Sequence, residues 1–170
     1  MNLDQLAKWL IDDGWKDVRP GDYMGIDFDL VGSRGYFDDK WKLLVKRLLR
    51  LDRKIARGWR AKFDNAGHET KNRFAGRFFI VCLLVDELNS KALKPVQADL
   101  TKLARAVAGK GGNSHVFIVD TAKGEFHGAI PELPYVINKN LKRIKKLLMA
   151  TLDSTNASLS TSPSEGTEGI

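Results

Sequence analysis

The first residues of the chain repeat apolar side chains with the period of a helix. Five of them share one side of such a helix: Leu3, Leu6, Ala7, Leu10 and Ile11. Asn2 precedes them and Gly14 follows them. Because asparagine caps free N–H groups at a helix start and glycine commonly ends helices, the pattern predicts an opening helix of about three turns.

In the next part of the chain, apolar and polar residues alternate with a period of two, which predicts strands. Ile26, Phe28 and Leu30 would lie on one face of a strand, and Asp27, Asp29 and Val31 on the other. The elements predicted for this part of the chain are a short strand Trp15–Arg19, a turn Arg19–Asp22, a strand Tyr23–Val31 and a polar connection Gly32–Lys40.

Residues 41–49 are compatible with two structures. As a strand, they place the apolar block Leu43–Val45 in the interior. As a helix, they begin an apolar stripe that continues through Leu51, Ile55, Trp59 and Phe63, and periodicity alone favours this single long helix. In both structures the segment Leu51–Phe63 is amphipathic, with basic residues opposite the apolar stripe.

The second half of the chain predicts buried strands and two more helices. Phe78–Val85 is almost continuously apolar, which is typical of a strand covered on both faces, and Cys82 within it is predicted to be a buried thiol. The remaining predicted elements are a helix Val96–Ala108, a strand Val116–Val119, a segment Gly124–Ile130 that can pair with it, and a closing helix Asn138–Leu152. The predicted inner stripe of the closing helix is Leu141, Ile144, Leu148 and Leu152. Residues 153–170 are rich in Ser, Thr, Gly and Glu, so we expect a disordered tail.

The composition fits one soluble α/β domain over residues 1–152. Of 170 residues, 43% are apolar and 29% charged, enough for one core. The chain has no run of 18 apolar residues and no signal-peptide pattern at its start, so we expect a cytoplasmic protein without a transmembrane segment. Three histidines and one cysteine do not form a zinc spacing, and a Gly-x-Ser-x-Gly motif for acyl transfer is absent.

Positive charge is concentrated in one segment. The chain has 28 Lys and Arg residues and a formal net charge of +7, and ten of these cations lie between Lys40 and Lys62, where Asp52 is the one acid. Clustered cations displace counterions from a phosphate backbone, so we expect a nucleic-acid partner, DNA rather than RNA. The predicted phosphate-binding residues are Arg47, Arg50, Arg53, Lys54, Arg57 and Arg60.

The predicted order helix, strand, strand, strand, helix, strand over residues 3–85 resembles the core of the PD-(D/E)XK nuclease superfamily, which includes restriction-type endonucleases and Holliday-junction resolvases. The residues that carry this resemblance are Gly14-Trp15, the segment 22–31 and the segment 41–47. The resemblance implies a restriction-endonuclease-like mixed central sheet flanked by helices. It also implies that the long apolar stripe breaks into a strand to about Leu48 and a helix to about Asn72.

In that family, an Asp on one strand and an acid-x-Lys motif on the next hold Mg²⁺ and orient the attacking water. The resemblance therefore implies that Asp27 and Asp29 are metal ligands, and that they act in catalysis together with Lys46. Two aspartates two residues apart on a strand point to the same side, and carboxylate oxygens suit Mg²⁺. Lys46 can stabilise charge on the phosphate as a point charge.

One position departs from the family pattern. Leu44 stands two residues before Lys46, where the family has an acid, and it cannot bind a metal. Asp38-Asp39-Lys40 also spells acid-x-Lys, but we expect a turn or cap role for it. The candidates to supply the missing acid are Asp52, Asp64 and Glu69.

These observations lead to a nucleic-acid-binding domain that is a Mg²⁺-dependent endonuclease if it is active. One alternative is a non-catalytic interaction domain on a nuclease-like scaffold, which binds an acidic protein partner. Another is peripheral membrane binding by a basic amphipathic helix over residues 41–63. We expect Trp41 and Trp59 to belong to the core rather than to stack on bases.

Overall fold

The computed structural model describes residues 2–23, 25–36, 39–59, 61, 77–89, 93–94, 98, 113–128 and 135–160. Three helices and six strands lie within these ranges. In chain order they are α1 (Leu3–Asp12), β1 (Lys16–Tyr23), β2 (Ile26–Tyr36), β3 (Asp39–Arg50), α2 (residues 53–59), β4 (Arg77–Glu87), β5 (Asn113–Asp120), β6 (Glu125–His127) and α3 (Tyr135–Ser160).

The six strands form one mixed sheet in the order β1-β2-β3-β4-β5-β6. β1, β2 and β3 are antiparallel neighbours, β3, β4 and β5 are parallel, and β6 returns antiparallel to β5. The predicted α/β class with a mixed sheet flanked by helices is confirmed, as is the predicted element order up to β4. Because β3, β4 and β5 are parallel, their carboxyl ends lie at the same end of the sheet.

The sheet buries apolar side chains on both faces. Ile80, Cys82 and Leu84 of β4 belong to a cluster covered by α1 and α3, which we call the α1/α3 face. The alternate residues of β4 belong to a second cluster with Phe28 and Ala56, which we call the α2 face. Both predicted interior patterns, the buried β4 run and the inner stripe of the closing helix, are therefore confirmed. Burial also raises the pKa of the Cys82 thiol, as expected for an inert core cysteine.

The chain changes from strand to helix just beyond Arg50, close to the predicted break at Leu48. Asp52 caps α2, because its Oδ1 accepts the N–H of Ile55 at 3.0 Å and its main-chain oxygen accepts that of Ala56 at 3.1 Å. The single long helix favoured by periodicity is wrong, since β3 is hydrogen-bonded to β2 on one side and to β4 on the other. Most of the predicted continuation to Asn72 lies outside the described residues.

The predicted turn Arg19–Asp22 is wrong, because β1 runs through it to Tyr23. β1 is the first strand of the sheet, and its pairing with β2 shifts register on both sides of Arg19. Proline lacks an N–H, so it fits an irregular border strand without the loss of a ladder bond. The chain reverses instead between Tyr23 and Ile26, where Gly25 has φ +71° and donates its N–H to the Asp22 carboxylate at 3.1 Å.

The predicted polar connection Gly32–Lys40 is also mostly strand. β2 continues to Tyr36, and β3 already begins at Asp39, so the turn or cap role expected of Asp39 and Lys40 is wrong. Asp38 lies outside the described residues. At Gly32, a Cβ would lie 3.4 Å from Val18 and 3.5 Å from Trp15, so close packing explains a glycine inside this strand.

The C-terminal helix is longer than predicted, because α3 begins at Tyr135 and ends at Ser160 instead of Leu152. Residues 153–160 are therefore helical, and residues 161–170 lie outside the described ranges. β6 pairs with β5, as predicted for Gly124–Ile130. The helix predicted over Val96–Ala108 falls almost wholly outside the described residues. Across the described ranges, the helices are too short or too polar to span a bilayer.

Candidate active site and nucleic-acid interface

Lys46 lies between the two aspartates that the sequence singled out. Its Nζ is 3.6 Å from Oδ2 of Asp27 and 3.6 Å from Oδ1 of Asp29. The exposed fraction of the Lys46 side chain is 21%, against 30% for Asp29 and 83% for Asp27. The structure thus brings together all three residues of the predicted catalytic set, at the boundary between core and solvent.

The end of the β2–β3 ladder explains this arrangement. The last paired residues are Leu30 and Val45. Two residues further along β3, the N–H of Arg47 donates to Oδ2 of Asp29 at 2.6 Å. β2 also holds one more residue than β1 between the pairs Gly21–Phe28 and Arg19–Val31, which is a β-bulge. The Asp29 carboxylate therefore replaces a strand partner where the two strands separate.

Leu44 faces the core directly beneath the site. Lys46 and Leu44 share the α2 face of β3 because they are two residues apart, and Leu44 is fully buried between Val31 and Val81. The position where the family has an acid therefore supplies no oxygen. Asp52, a candidate replacement, is used as the cap of α2, and the other two candidates, Asp64 and Glu69, lie outside the described residues.

The two aspartates share one cationic partner. Asp27 and Asp29 each place a carboxylate oxygen 3.6 Å from the Lys46 ammonium group, so both carboxylates can face a single positive charge. Mg²⁺ in proteins is often held by one or two carboxylates, with water and substrate phosphates completing its shell. Among the described residues there is no group of three or more potential ligands, so the ligands that this part of the chain offers to such a site are Asp27 and Asp29.

Arg47 is engaged in an ion pair that the sequence did not predict. On the α1/α3 face, its guanidinium binds the Asp86 carboxylate through Nε and Nη2 at 3.1–3.3 Å, and Thr121 Oγ1 donates to Asp86 at 2.6 Å. Burial raises the pKa of Asp86, but the hydrogen bonds from Thr121 and Arg47 outweigh it and leave that pKa below its ordinary value. The available sequence signal was an acid immediately after the buried β4 run.

Four predicted phosphate-binding residues are exposed beside the site. We call Arg50, Arg53, Lys54 and Arg57 the basic ridge. Arg50 is four strand residues beyond Lys46, which corresponds to about 13 Å. Arg60 lies outside the described residues, and Arg47 belongs to the network with Asp86. The ridge therefore continues directly from the strand that carries Lys46 into the exposed side of α2.

The tryptophans of this segment are used for packing, as expected. Trp41 is 2% exposed and stacks on Phe78 with ring centroids 4.6 Å apart. Trp59 is partly buried and meets the Phe28 ring edge-on at 5.9 Å, which fixes α2 against β2. Residues 39–50 form a strand with Trp41 inside, so the first half of the interfacial helix expected over residues 41–63 is wrong.

Comparisons with protein-family models, with curated proteins and with solved structures found no match. The likeness to PD-(D/E)XK nucleases therefore depends on the order of elements and on the placement of Asp27, Asp29 and Lys46, and it stays a prediction.

Proposed function

We propose that this chain is a nucleic-acid-binding domain of the PD-(D/E)XK type, in which the basic ridge holds a phosphate backbone beside Asp27, Asp29 and Lys46. The observation that carries the proposal is the position of the Lys46 ammonium, 3.6 Å from both carboxylates and on the same strand as Arg50. A cation-binding pair next to exposed cations is the combination that phosphodiester chemistry needs.

The charge of the ridge supports an extended polyanion as the ligand. Four exposed cations lie within eight residues, and Asp52, the one acid among them, is turned toward the N–H groups of α2. Each phosphate neutralised by such a cation releases condensed counterions, which gives affinity that falls steeply with salt.

A salt titration tests the binding. For the double variant Arg50→Gln/Lys54→Gln, the slope of log affinity against log salt on duplex DNA should become shallower by about two units, because two phosphate contacts are lost. The matched control is Lys16→Gln/Lys94→Gln, which removes the same charge from exposed positions outside the ridge and should keep the wild-type slope. Wild-type binding that is indifferent to salt would contradict the proposal.

We extend the proposal to Mg²⁺-dependent phosphodiester cleavage. Asp27 and Asp29 would hold the ion, which when bound screens the phosphate charge and lowers the pKa of the attacking water. Lys46 would stabilise charge on the phosphate through its ammonium group. The carboxylate pair then keeps Lys46 directed into the site.

The cleavage test uses plasmid, single-stranded and branched DNA with Mg²⁺ or Mn²⁺. We expect cleavage by the wild type and its loss in Asp27→Asn, Asp29→Asn and Lys46→Ala. Asp27 is 83% exposed, so Asp27→Asn should unfold like the wild type within about 0.5 kcal/mol, which separates loss of chemistry from loss of fold. Cleavage that persists in all three variants would show that the chemistry resides elsewhere.

The buried Leu44 favours a second candidate function, a non-catalytic domain on the same scaffold that binds an acidic protein. Nucleic-acid binding without cleavage under any metal would remove the catalytic extension only. Co-purification with a defined acidic protein and no nucleic acid would favour this second function over the first.

A further inference from the structure

A second group of cations lies on α3, away from the basic ridge. Between residues 139 and 146 this helix carries five cations and no acid: Lys139, Lys142, Arg143, Lys145 and Lys146. All five are exposed. The concentration of charge in the sequence indicated only the segment 40–62 as a cationic surface.

The cations of α3 form an ordered row. Lys139, Lys142, Arg143 and Lys146 follow one another at spacings of three, one and three, which places them on one side of the helix over about 10 Å. We call these four residues the α3 row. Leu141, Ile144 and Leu148 occupy the opposite, buried side of the helix. The row therefore faces away from the sheet.

A cleft between α1 and α3 opens beside the α3 row. Its volume is about 520 Å³, and its walls include Trp9 of α1, Leu147 and Ala150 of α3, and the row members Arg143 and Lys146. This volume is within the range of about 300–1,000 Å³ that small-molecule sites occupy. The cleft thus offers an aromatic wall, an apolar floor and a cationic rim.

The walls of the cleft are tied together by a shared carboxylate. Asp13, at the end of α1, binds Arg34 of β2 at 2.8 Å and also binds Arg143 of α3. The Asp13 and Arg34 side chains are only 9% and 8% exposed. Because two guanidinium groups compensate Asp13, its charge does not oppose an anion at the rim, and Asp12 is the remaining acid of the lining.

We propose that the α1–α3 cleft and the α3 row bind single-stranded nucleic acid, with phosphates along the three lysines of the row and a base against Trp9. Arg143 is bound to Asp13 and holds the wall of the cleft. Cationic grooves lined by aromatic side chains are the common means of single-strand binding, because every base presents a π-face. A duplex keeps its bases stacked, so it cannot place a base against Trp9, and we expect it to bind the basic ridge instead. The inference rests on the proposed nucleic-acid function and adds a site of its own.

The position of the cleft makes it independent of the basic ridge. α1 and α3 cover one face of the sheet, and α2 packs on the other. A strand in the cleft and a duplex on the ridge are therefore separated by the sheet, so one molecule can hold both at once.

Fluorescence anisotropy with labelled oligonucleotides tests the site. In Lys142→Glu/Lys146→Glu we expect single-strand affinity to fall at least about tenfold, and in Trp9→Ala about tenfold, since a stacked base is worth roughly 1–3 kcal/mol. In both cleft variants, the affinity for duplex DNA should stay within about twofold of the wild type. In the control Lys16→Glu/Lys94→Glu, the affinities for single-stranded and for duplex DNA should both stay within about twofold of the wild type. Wild-type single-strand affinity in both cleft variants would overturn the inference.

A sandwich assay separates this inference from the proposed function. Wild-type protein on immobilised duplex should capture a labelled single strand, and Lys142→Glu/Lys146→Glu should stay on the duplex without capturing it. If Arg50→Gln/Lys54→Gln abolishes binding of both forms while the cleft variants bind normally, the second site is wrong and the ridge stands. If only the cleft variants lose binding, the ridge is wrong and the cleft stands. Competition by anionic vesicles or by polyglutamate, but not by oligonucleotides, would overturn both.

Discussion

Asp29 and Asp86 show how single carboxylates hold the carboxyl end of β3 from two sides. Asp29 accepts the main-chain N–H of Arg47 on one side, and Asp86 binds the guanidinium of the same residue on the other. Arg47 was predicted as a phosphate-binding residue, but its side chain already has a carboxylate partner. Its clearest role in the structure is to fix the strand end that carries Lys46.

The lowered pKa of Asp86 predicts an acid-dependent loss of stability. Because the folded-state pKa lies below the unfolded value of about 3.9, the ionised form stabilises the fold. This contribution is complete above about pH 5 and disappears as pH falls through the folded pKa. The difference in unfolding free energy between the wild type and Asp86→Asn should therefore be constant from about pH 5 to 7 and shrink below about pH 4.

Denaturant unfolding at a series of pH values measures that difference. Glu87→Gln is the matched control, because Glu87 is the exposed neighbour of Asp86 on β4. If the difference in unfolding free energy between the wild type and Asp86→Asn increased as the pH fell, it would contradict a folded-state pKa of Asp86 below the unfolded value.

Among the elements, the junction of β3 and α2 determines where the cations go. The strand directs Lys46 to the two aspartates, and the helix directs Arg53, Lys54 and Arg57 to solvent. Leu51, 2% exposed, anchors the junction in the core, and Asp52 caps the helix. A single helix through this region would have separated Lys46 from Asp29.

Removal of the cap should weaken α2. We expect Asp52→Ala to cost about 1 kcal/mol in unfolding free energy, because the N–H of Ile55 loses its acceptor. Asp52→Asn keeps a capping oxygen and should stay within a few tenths of a kcal/mol of the wild type. Urea unfolding measures both, and equal losses in the two variants would assign the effect to charge rather than to the cap.

Sequence patterns predicted the elements whose residues alternate cleanly. The β4 run, the inner stripe of α3 and the alternation of Ile26 and Phe28 with Asp27 and Asp29 all reflect burial against a neighbouring layer, which repeats at a fixed spacing. The predicted common face of Ile26, Phe28 and Leu30 is wrong at Leu30, because the β-bulge in β2 moves that side chain to the α1/α3 face. The break near Leu48 followed from the resemblance, since the apolar spacing of Leu44, Leu48 and Leu51 suits both strand and helix. The site residues on β2 and β3 were predicted in the same way.

The errors arose where position in the sheet outweighed local preference. Pro20 and Gly21 form a strong turn signal, but on a border strand with irregular register they are tolerated inside β1. Gly32, Ser33 and Arg34 look like a polar connection, but Arg34 is needed by a buried acid 21 residues earlier. The residues around Arg34 contain no sequence pattern that indicates an ion-pair partner so far away in the chain. The Arg47–Asp86 pair, 39 residues apart, was missed for the same reason.

At the scale of the whole molecule, Asp13 links the layers. Its carboxylate joins the end of α1 to β2 of the sheet and to α3. Contacts of this kind cost desolvation when they form, but the loss of one partner leaves a buried charge uncompensated.

We therefore expect Asp13→Ala to lower the unfolding free energy by about 3 kcal/mol, since Arg34 stays buried with its carboxylate removed. Arg143→Gln should cost much less, about 1 kcal/mol or below, because Arg143 is 45% exposed. Thermal and urea unfolding of the two variants measure the contrast. Equal costs would show that Asp13 is not the centre of a buried network.

The irregular first strand also affects how copies of the protein meet. β1 borders the sheet with a proline that offers no N–H and with two register shifts, and β6 at the other border is three residues long. In the part of the chain that the structure describes, neither border strand presents a long regular row of donors and acceptors to which a strand of another molecule could pair. Within the described residues, both borders of the sheet therefore disfavour edge-to-edge aggregation, so we expect a second macromolecule to bind through side chains rather than by strand addition.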